Sequence, residues 1–307
     1  MMDKNINIVK YKNGNYVVML NLNDGTMIRY TKDDELRPKF PDSMDIKITN
    51  RCYKGCPYCH EKSTKDGLHG DLLSKSFIDS LHPYTQIACG GGDIMTHPDL
   101  EEFLYKCRKL KLIPSITVNQ THFMQDIPFI QELSDKKLIY GIGISLNHAS
   151  KQFIDAAKSN SNIVVHVING IVTKDELESL AHHNLKILIL GYKNFGRGTN
   201  YLMQAGEDIK TNQAYIQNTL PRMIEEKWFQ NISFDNLALQ QIDVQSLMTP
   251  EEFKQFYMGE DGRSTMYVDM VKQEFAASST SINRYPLQSN IEDMLKIIHQ
   301  EKGLSID

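Results

Sequence analysis

The stretch that decides the interpretation of this chain is Asp45-Ile-Lys-Ile-Thr49, followed by Asn50-Arg-Cys-Tyr-Lys-Gly-Cys-Pro-Tyr-Cys59. Its first part alternates polar and apolar residues and predicts a strand. Its second part carries three cysteines with the spacing C-x3-C-x2-C, namely Cys52, Cys56 and Cys59. Three thiolates on one loop can bind three irons of a [4Fe–4S] cluster, which normally takes four cysteines. The fourth iron is then open, and an open metal position is typical of a catalytic site.

The cysteine spacing, with the aromatic Tyr58 directly before the third cysteine, resembles the signature of the radical S-adenosylmethionine (radical SAM) enzymes. The resemblance implies that S-adenosylmethionine chelates the fourth iron through its amino and carboxylate groups. It also implies that the reduced cluster cleaves this molecule to a 5′-deoxyadenosyl radical, which abstracts a hydrogen atom from a substrate. A flavodoxin- or ferredoxin-type electron donor is implied as a partner. Tyr58 is expected near the cluster or the adenine, with a purely structural role as the alternative.

A glycine segment, Cys89-Gly90-Gly91-Gly92-Asp93, follows the second predicted strand. Glycines allow a backbone to approach a ligand closely. The segment resembles the Gly-Gly-Glu motif of the radical SAM enzymes, whose backbone holds the amino group of the methionine moiety. Here the acid is Asp93, one carbon shorter than glutamate, and a third glycine precedes it. A plain glycine-rich turn is the alternative.

Polar side chains at the ends of later predicted strands are the remaining candidates for cofactor binding. They are Asn119, Ser145, Asn147, Asn169, Lys193 and Arg197. The resemblance implies that the uncharged members contact the ribose and the methionine carboxylate, although such residues also end strands for purely structural reasons. The two cationic members are expected to hold an anionic substrate or the cofactor carboxylate, because guanidinium binds such groups in a bidentate manner. The alternative is a solvated loop.

Short apolar runs alternate with amphipathic stretches from residue 45 onward, which predicts parallel βαβ units. The predicted strands are residues 46–49, 86–89, 115–118, 141–146, 163–168 and 187–190. The predicted helices are residues 71–81, 98–110, 126–133, 150–157 and 174–182. Together with the resemblance, these units imply an α/β fold, a partial (β/α)6 TIM-type barrel.

Three segments are expected. Residues 1–44 contain a β-hairpin around Asp24-Gly25 and pack on the core, residues 45–200 form the radical SAM core, and residues 201–307 extend or cap the barrel. In this extension a helix is predicted over residues 212–228, strands over 232–239 and 265–271, and a terminal helix over 291–301. Its candidates for facing the substrate are Asp235, Asn236, Asp269, Ser278, Ser279 and Thr280.

Zinc is the alternative to the iron–sulfur cluster, since zinc also binds clustered cysteine and histidine. A zinc site of this kind would use His60 or His69 as its fourth ligand and would stabilise a non-catalytic interaction module. No cysteine follows Cys107, so no second cluster is expected in the C-terminal half. Cys89 and Cys107 remain as candidates for buried packing residues.

Composition narrows the choice of partners. The net charge of −4 gives no basic excess for binding a nucleic-acid backbone. No apolar run is long enough to span a membrane and the N-terminus has no secretory core, so a cytoplasmic location is expected. The N-terminal hairpin is too small for a leader-peptide recognition domain, which favours a small-molecule or nucleotide-like substrate.

Overall fold

The computed structural model of the chain describes residues 7–74 and 76–304. The remaining residues belong to the predicted segments 1–44 and 201–307 and to the predicted helix 71–81, and they lie outside the described residues. A three-stranded antiparallel sheet comes first along the chain. Its strands are β1 (Ile8–Asn13), β2 (Tyr16–Asn21) and β3 (Met27–Tyr30).

The main body is a ten-stranded sheet with the order β10-β9-β8-β7-β6-β5-β4-β11-β12-β13 in the described residues. The strands from β10 to β11 in this order all run parallel, whereas β12 and β13 are antiparallel additions at one edge. The strands are β4 (Ser43–Thr49), β5 (Gln86–Gly91), β6 (Ile113–Asn119), β7 (Gly141–Ser145), β8 (Ile163–Ile168), β9 (Lys186–Leu190), β10 (Asn231–Phe234), β11 (Thr265–Asp269), β12 (Glu274–Ala276) and β13 (Tyr285–Pro286). The predicted α/β class with a parallel sheet is confirmed.

Eight helices are described, and seven of them bury side chains in the core at the outer face of this sheet, the exception being the exposed helix Pro250–Phe256. They are α1 (Leu100–Lys109), α2 (Gln120–Asp135), α3 (Lys151–Ala157), α4 (Lys174–Leu180), α5 (Gly198–Glu225), α6 (Asn236–Gln241), α7 (Pro250–Phe256) and α8 (Ile291–Lys302). A capping box begins α4, because the Thr173 hydroxyl accepts from the Glu176 backbone and the Glu176 carboxylate accepts from the Thr173 backbone. No helix of the described residues is long and apolar enough to cross a membrane.

The two faces of β4 show how the sequence pattern divides core from cavity. Ile46 and Ile48 are buried under the helices. Asp45 and Lys47 point to the opposite face, where they line a cavity. Because successive side chains of a strand alternate between faces, one short stretch builds both a hydrophobic core and a polar interior wall.

The sheet is strongly curved. The side chain of Lys193, after β9, donates to Ser279 Oγ, beyond β12, at 2.9 Å. Asn236 Nδ2, after β10, donates to Asp261 Oδ1, before β11, at 2.7 Å. Side chains thus bridge the two ends of the row of parallel strands. Within the described residues no strand pairing joins β10 to β11, so the barrel is not closed.

A buried carboxylate links the N-terminal sheet to the main sheet. Asp42, directly before β4, is fully buried and accepts from Asn13 Nδ2 at 2.9 Å and from Tyr16 hydroxyl and Arg29 Nε at 2.7 Å each. These donors lie on or next to the three N-terminal strands. The Gly14-Asn15 turn between β1 and β2 is also the sequence signal for β1, which the hairpin prediction missed.

We expect Asp42→Ala to lower the free energy of unfolding by about 3–5 kcal/mol, because it leaves the buried guanidinium of Arg29 without its counter-charge. The matched control is Asp33→Ala, which removes an exposed ion pair with Arg37 and should cost less than about 1 kcal/mol. Urea unfolding of both variants measures the difference. Equal losses in the two variants would show that Asp42 does not hold the small sheet in place.

One element prediction is wrong, and two others have the wrong bounds. The helix predicted over residues 71–81 is a short 3-10 turn, Phe77–Ser80, because Asp71 accepts from the backbone of Leu73 and Ser74 and turns the chain before it. The strand predicted over residues 232–239 ends at Phe234, because Asp235 caps α6. The helix predicted from residue 212 begins earlier, since α5 starts at Gly198.

Candidate active site

The concave face of the main sheet encloses a cavity of about 800 Å³. Side chains from β4 to β11 line it, together with the cysteine loop that follows β4 and the loops after β9, β10 and β12. Its volume lies within the range of about 300–1,000 Å³ that is typical of small-molecule and cofactor sites. The carboxyl ends of parallel strands are also where α/β sheets normally carry their active sites.

The three predicted metal ligands, Cys52, Cys56 and Cys59, all line this cavity and are half-buried. Backbone hydrogen bonds shape their loop, from Cys52 N to Thr64 O at 2.8 Å and from Cys59 N to Cys56 O at 3.2 Å. Burial raises the pKa of the Cys56 thiol, and the charges of Cys59 and Cys52 raise it further. The three sulfurs are therefore close enough to interact, as the ligands of one cluster must be.

Arg197 holds the cysteine loop from behind. Its Nε donates to Cys56 O at 2.9 Å, its Nη1 donates to Ser63 O at 3.0 Å, and its backbone N–H donates to Cys59 O at 3.0 Å. The side chain does not line the cavity. The guanidinium predicted to hold an anion therefore has its donors directed at carbonyl groups, and it orients the loop that carries the three cysteines.

The described residues show no ready-made site for a single zinc ion. Throughout residues 7–74 and 76–304, no three His, Cys, Asp or Glu side chains are arranged to hold one metal ion. A cluster spreads its cysteines because each thiolate binds a different iron, whereas tetrahedral zinc gathers its ligands around one centre. Both candidate zinc histidines have other partners, since His69 Nδ1 is 2.9 Å from Thr49 Oγ1 and His60 Nε2 is 3.2 Å from Lys193 Nζ. The zinc alternative is not supported.

The glycine segment lies beside the cysteine loop, at the end of β5. Gly90, Gly91 and Gly92 all line the cavity. Gly91 has a φ of +117°, and a Cβ there would overlap Thr49 O, so the backbone needs glycine at this position. A Cβ on Gly90 would meet only Thr117 Cβ, at 3.8 Å. Gly90 thus leaves the cavity open next to the cysteines, while Gly91 lets the two loops pack.

Asp93 is turned away from the cavity. Its carboxylate caps the following turn by accepting from Met95 N at 3.2 Å, and it lies 3.3 Å from His122 Nδ1. His122 itself lines the cavity. The backbone of the glycine segment therefore lines the cavity, whereas the Asp93 carboxylate lies outside it.

The uncharged polar candidates divide into two groups. Asn119 and Ser145 line the cavity. Asn147 does not, but it exchanges hydrogen bonds with Asn119 at 2.6 and 2.9 Å and so fixes that side chain. Asn169 is fully buried, donates to Gln241 Oε1 at 3.2 Å and lies outside the cavity wall. Tyr58 lines the cavity, and burial raises the pKa of its hydroxyl to about 12, so it stays neutral.

An ion-pair network that sequence reasoning mostly missed crosses the cavity wall. Lys47 Nζ lies 2.6 Å from Glu61 Oε2 and 3.0 Å from Asp269 Oδ2. Burial would lower the pKa of Lys47, but its two carboxylate partners outweigh burial and raise it. The network ties the cysteine loop, which carries Glu61, to β4 and β11. Of the three residues, only Asp269 was a candidate from the sequence. The other two were missed because they lie far from it along the chain.

Lys193 does line the cavity, as predicted for a residue after β9. Its ammonium contacts His60 Nε2 at 3.2 Å and Ser279 Oγ at 2.9 Å. Burial first, and then the Lys193 charge, lower the pKa of His60, while the nearby Glu61 carboxylate opposes this shift. Asp235, Asn236, Ser278 and Thr280 also reach the cavity. Cys89 is fully buried in the core instead.

His166, on β8, is an unpredicted member of the cavity wall. Its ring makes no hydrogen bond or ion pair with the described residues. Burial lowers its pKa to about 4. The unfolded chain, with an ordinary pKa of about 6.5, binds a proton between these values that the folded chain does not. Neutral His166 therefore contributes stability that is present above pH 6.5 and lost as the pH falls towards 4.

We expect His166→Gln to reduce the loss of stability on acidification. Between pH 7 and pH 4.5, titration of His166 should remove about 2 kcal/mol from the wild-type free energy of unfolding, and this part should be missing in the variant. Urea unfolding at both pH values measures it. The control is His148→Gln, which removes an exposed histidine and should keep the wild-type pH dependence. Identical pH dependence in the His166 variant would contradict the expectation.

Neither a scan of protein-family models nor a search of curated proteins finds a match to this sequence. Among solved structures, the chain is similar to Streptococcus suis SuiB bound to precursor peptide SuiA, with a TM-score of 0.60 and 11% identity over 95% of this chain and 88% of that chain. It is also similar to SuiB bound to S-adenosylmethionine, with a TM-score of 0.59 and 11% identity over 95% of this chain and 87% of that chain. At this identity the likeness shows a shared fold.

Proposed function

We propose that this chain is a radical SAM enzyme of the single-cluster type, in which Cys52, Cys56 and Cys59 hold a [4Fe–4S] cluster. One observation carries the proposal: the cysteine loop and the glycine segment follow the neighbouring strands β4 and β5 and line one cavity. The fold shared with SuiB, for which a structure with S-adenosylmethionine exists, supports it. On this proposal the curved sheet is a partial barrel, with its site at the carboxyl ends of the strands.

When bound, the cluster and S-adenosylmethionine supply a 5′-deoxyadenosyl radical that abstracts a hydrogen atom from the substrate. The side chains of this protein would orient the cofactor and the substrate and exclude competing reactions. Gly90 leaves room for the cofactor, and Tyr58, Asn119, Ser145 and Lys193 face it across the cavity. The positioning residues behind this wall are Asp93, Asn147, Asn169 and Arg197.

The substrate is proposed to be a small molecule held in the same cavity, away from water that would compete for the radical. A peptide is the second candidate, because SuiB has been solved with a precursor peptide. A flavodoxin- or ferredoxin-type protein is the proposed electron donor. We place the reaction on residues 45–200, with residues 201–307 completing the cavity wall and residues 1–44 packed against the core.

Anaerobic reconstitution with iron and sulfide tests the proposal. The expected product is a brown, oxygen-sensitive protein with about four irons and four sulfides per chain. Reduction in the presence of S-adenosylmethionine should then yield 5′-deoxyadenosine. A colourless protein that binds one zinc ion, tolerates oxygen and leaves S-adenosylmethionine intact would overturn the proposal in favour of an interaction module.

A further inference from the structure

Negative charge collects in the part of the cavity between β10 and β11. Asp45 on β4, Asp235 after β10 and Asp261 before β11 all line this part. They act on one another electrostatically, since the charges of Asp261 and Asp235 both raise the pKa of Asp45. Lys193 opposes them, but its ammonium is already shared between His60 and Ser279. The region therefore has more carboxylate than ammonium groups.

Asp45 is the member of this group that the protein leaves without a partner. Asp235 Oδ1 accepts from Gly191 N at 2.9 Å and from Ala238 N at 2.7 Å. Asp261 Oδ1 accepts from Asn236 Nδ2 at 2.7 Å. Asp45, by contrast, makes no hydrogen bond or ion pair with any described residue.

The position of Asp45 makes this lack of a partner informative. Its side chain is exposed to the cavity, although many protein atoms lie around the carboxylate. Burial is the main reason why the pKa of Asp45 is raised. Holding an unpaired carboxylate in such a place costs free energy. A ligand that supplies the missing donor and positive charge would remove that cost.

A second polar group in the same cavity also lacks a partner. The His166 ring is enclosed by protein, lies on another strand and is outside the acidic group. As a neutral imidazole it presents one donor and one acceptor nitrogen. The cavity thus offers an unpaired carboxylate and an unpaired uncharged ring, which together favour a polar ligand with a cationic end.

We infer that the substrate of this enzyme carries a protonated amine or a guanidinium group, and that Asp45 binds this group inside the cavity. The inference rests on the proposed function and names the chemical class of its substrate. Charge complementarity supports it, because an ammonium or guanidinium beside Asp45 forms charge-assisted hydrogen bonds and balances the neighbouring carboxylates. A phosphorylated, nucleotide-like substrate would instead bring negative charge against Asp45, Asp235 and Asp261.

Calorimetric titration of the reconstituted full-length protein tests this inference with three probes. They are n-pentylammonium, N-acetyl-lysine N-methylamide and, as the uncharged control, 1-pentanol. We expect each cation to bind at least tenfold more tightly than 1-pentanol. Asp45→Asn should weaken both cations at least tenfold and leave 1-pentanol unchanged. Asp208→Asn, which removes an exposed carboxylate of α5, is the matched control and should bind all probes as the wild type does.

Thermal unfolding of Asp45→Asn provides a second measurement. Because the amide removes an unpaired charge beside Asp235 and Asp261 without changing the shape, we expect a melting temperature equal to or above that of the wild type. If this variant does not fold, Asp261→Asn replaces it, and cation binding should weaken about threefold through the lost charge. Tighter binding of the lysine derivative than of n-pentylammonium would assign the cation to a peptide side chain, and the reverse order would assign it to a small amine.

Equal affinity of 1-pentanol and the cations, or unchanged cation binding by Asp45→Asn, would overturn the inference. Formation of 5′-deoxyadenosine is measured on the same preparations. Cleavage of S-adenosylmethionine without any preference for cations overturns the inference alone. A preference for cations in a protein that neither forms the cluster nor cleaves S-adenosylmethionine overturns the proposed function alone.

Discussion

Replacing any one of Cys52, Cys56 and Cys59 with alanine should abolish the iron–sulfur cluster and, with it, the cleavage of S-adenosylmethionine. Each of the three thiolates is expected to bind a separate iron, and none has a substitute among the cysteines that line the cavity. We expect the iron content to fall from about four per chain to near zero. Formation of 5′-deoxyadenosine should fall at least about 1,000-fold, which corresponds to about 4 kcal/mol in the barrier.

The chain offers matched controls in its two other cysteines. Cys89 and Cys107 are fully buried in the hydrophobic core, away from the cavity. Burial raises the pKa of Cys107 to about 12 and that of Cys89 well above its usual value, so both remain unreactive thiols. Cys89→Ala and Cys107→Ala should each cost about 1 kcal/mol of stability and keep the iron. Loss of iron in these variants as well, or its retention in the loop variants, would contradict the assignment.

The parallel strands of the core were predictable because their buried residues are short runs of β-branched side chains. All six strands predicted from residue 46 to residue 190 are present within one or a few residues of their expected bounds. From β4 to β9, strands that are successive along the chain are neighbours in the sheet, as is usual for consecutive βαβ units. The strands after residue 230 were harder to place, since Asp235 both ends β10 and caps α6. The alternating sequence around it is equally compatible with a longer strand.

The site was predictable as a set of loops, while the direction of its side chains was not. A residue that follows a parallel strand lies at a known edge of the sheet. On this basis Asn119, Ser145 and Lys193 were expected at the edge where the structure has its cavity, and all three line it. It does not tell whether a guanidinium such as that of Arg197 points at a ligand or at nearby carbonyls.

Interior polar residues were the hardest part of the site to foresee. In an alternating strand, a polar residue such as Asp45 or Lys47 is normally assigned to the solvent face. Here the curvature of the sheet turns that face into a cavity wall. Curvature depends on contacts between segments that are far apart in the sequence, such as Lys193 with Ser279. A local pattern therefore carries no information about it.

The glycine segment allows a test that separates cofactor binding from folding. Gly90→Ala adds a methyl group that points into the cavity and meets only Thr117 Cβ, at 3.8 Å. We expect the free energy of unfolding to change by less than about 1 kcal/mol, because β5 accepts alanine there without strain. The affinity for S-adenosylmethionine should fall at least about tenfold, or about 1.4 kcal/mol, since the methyl group occupies the space that the cofactor needs. Equilibrium dialysis measures the affinity and urea unfolding the stability.

Gly91→Ala is the partner variant and should fail in a different way. Its φ of +117° is unfavourable for alanine, and the new Cβ would overlap Thr49 O, so the backbone must move. We expect a loss of about 2–5 kcal/mol of stability, and loss of iron as a consequence, because the cysteine loop packs on this backbone. If Gly90→Ala binds S-adenosylmethionine as tightly as the wild type does, the cofactor does not approach the end of β5. If Gly90→Ala unfolds as readily as Gly91→Ala, glycine is needed at position 90 for packing. The two variants would then not separate cofactor binding from folding.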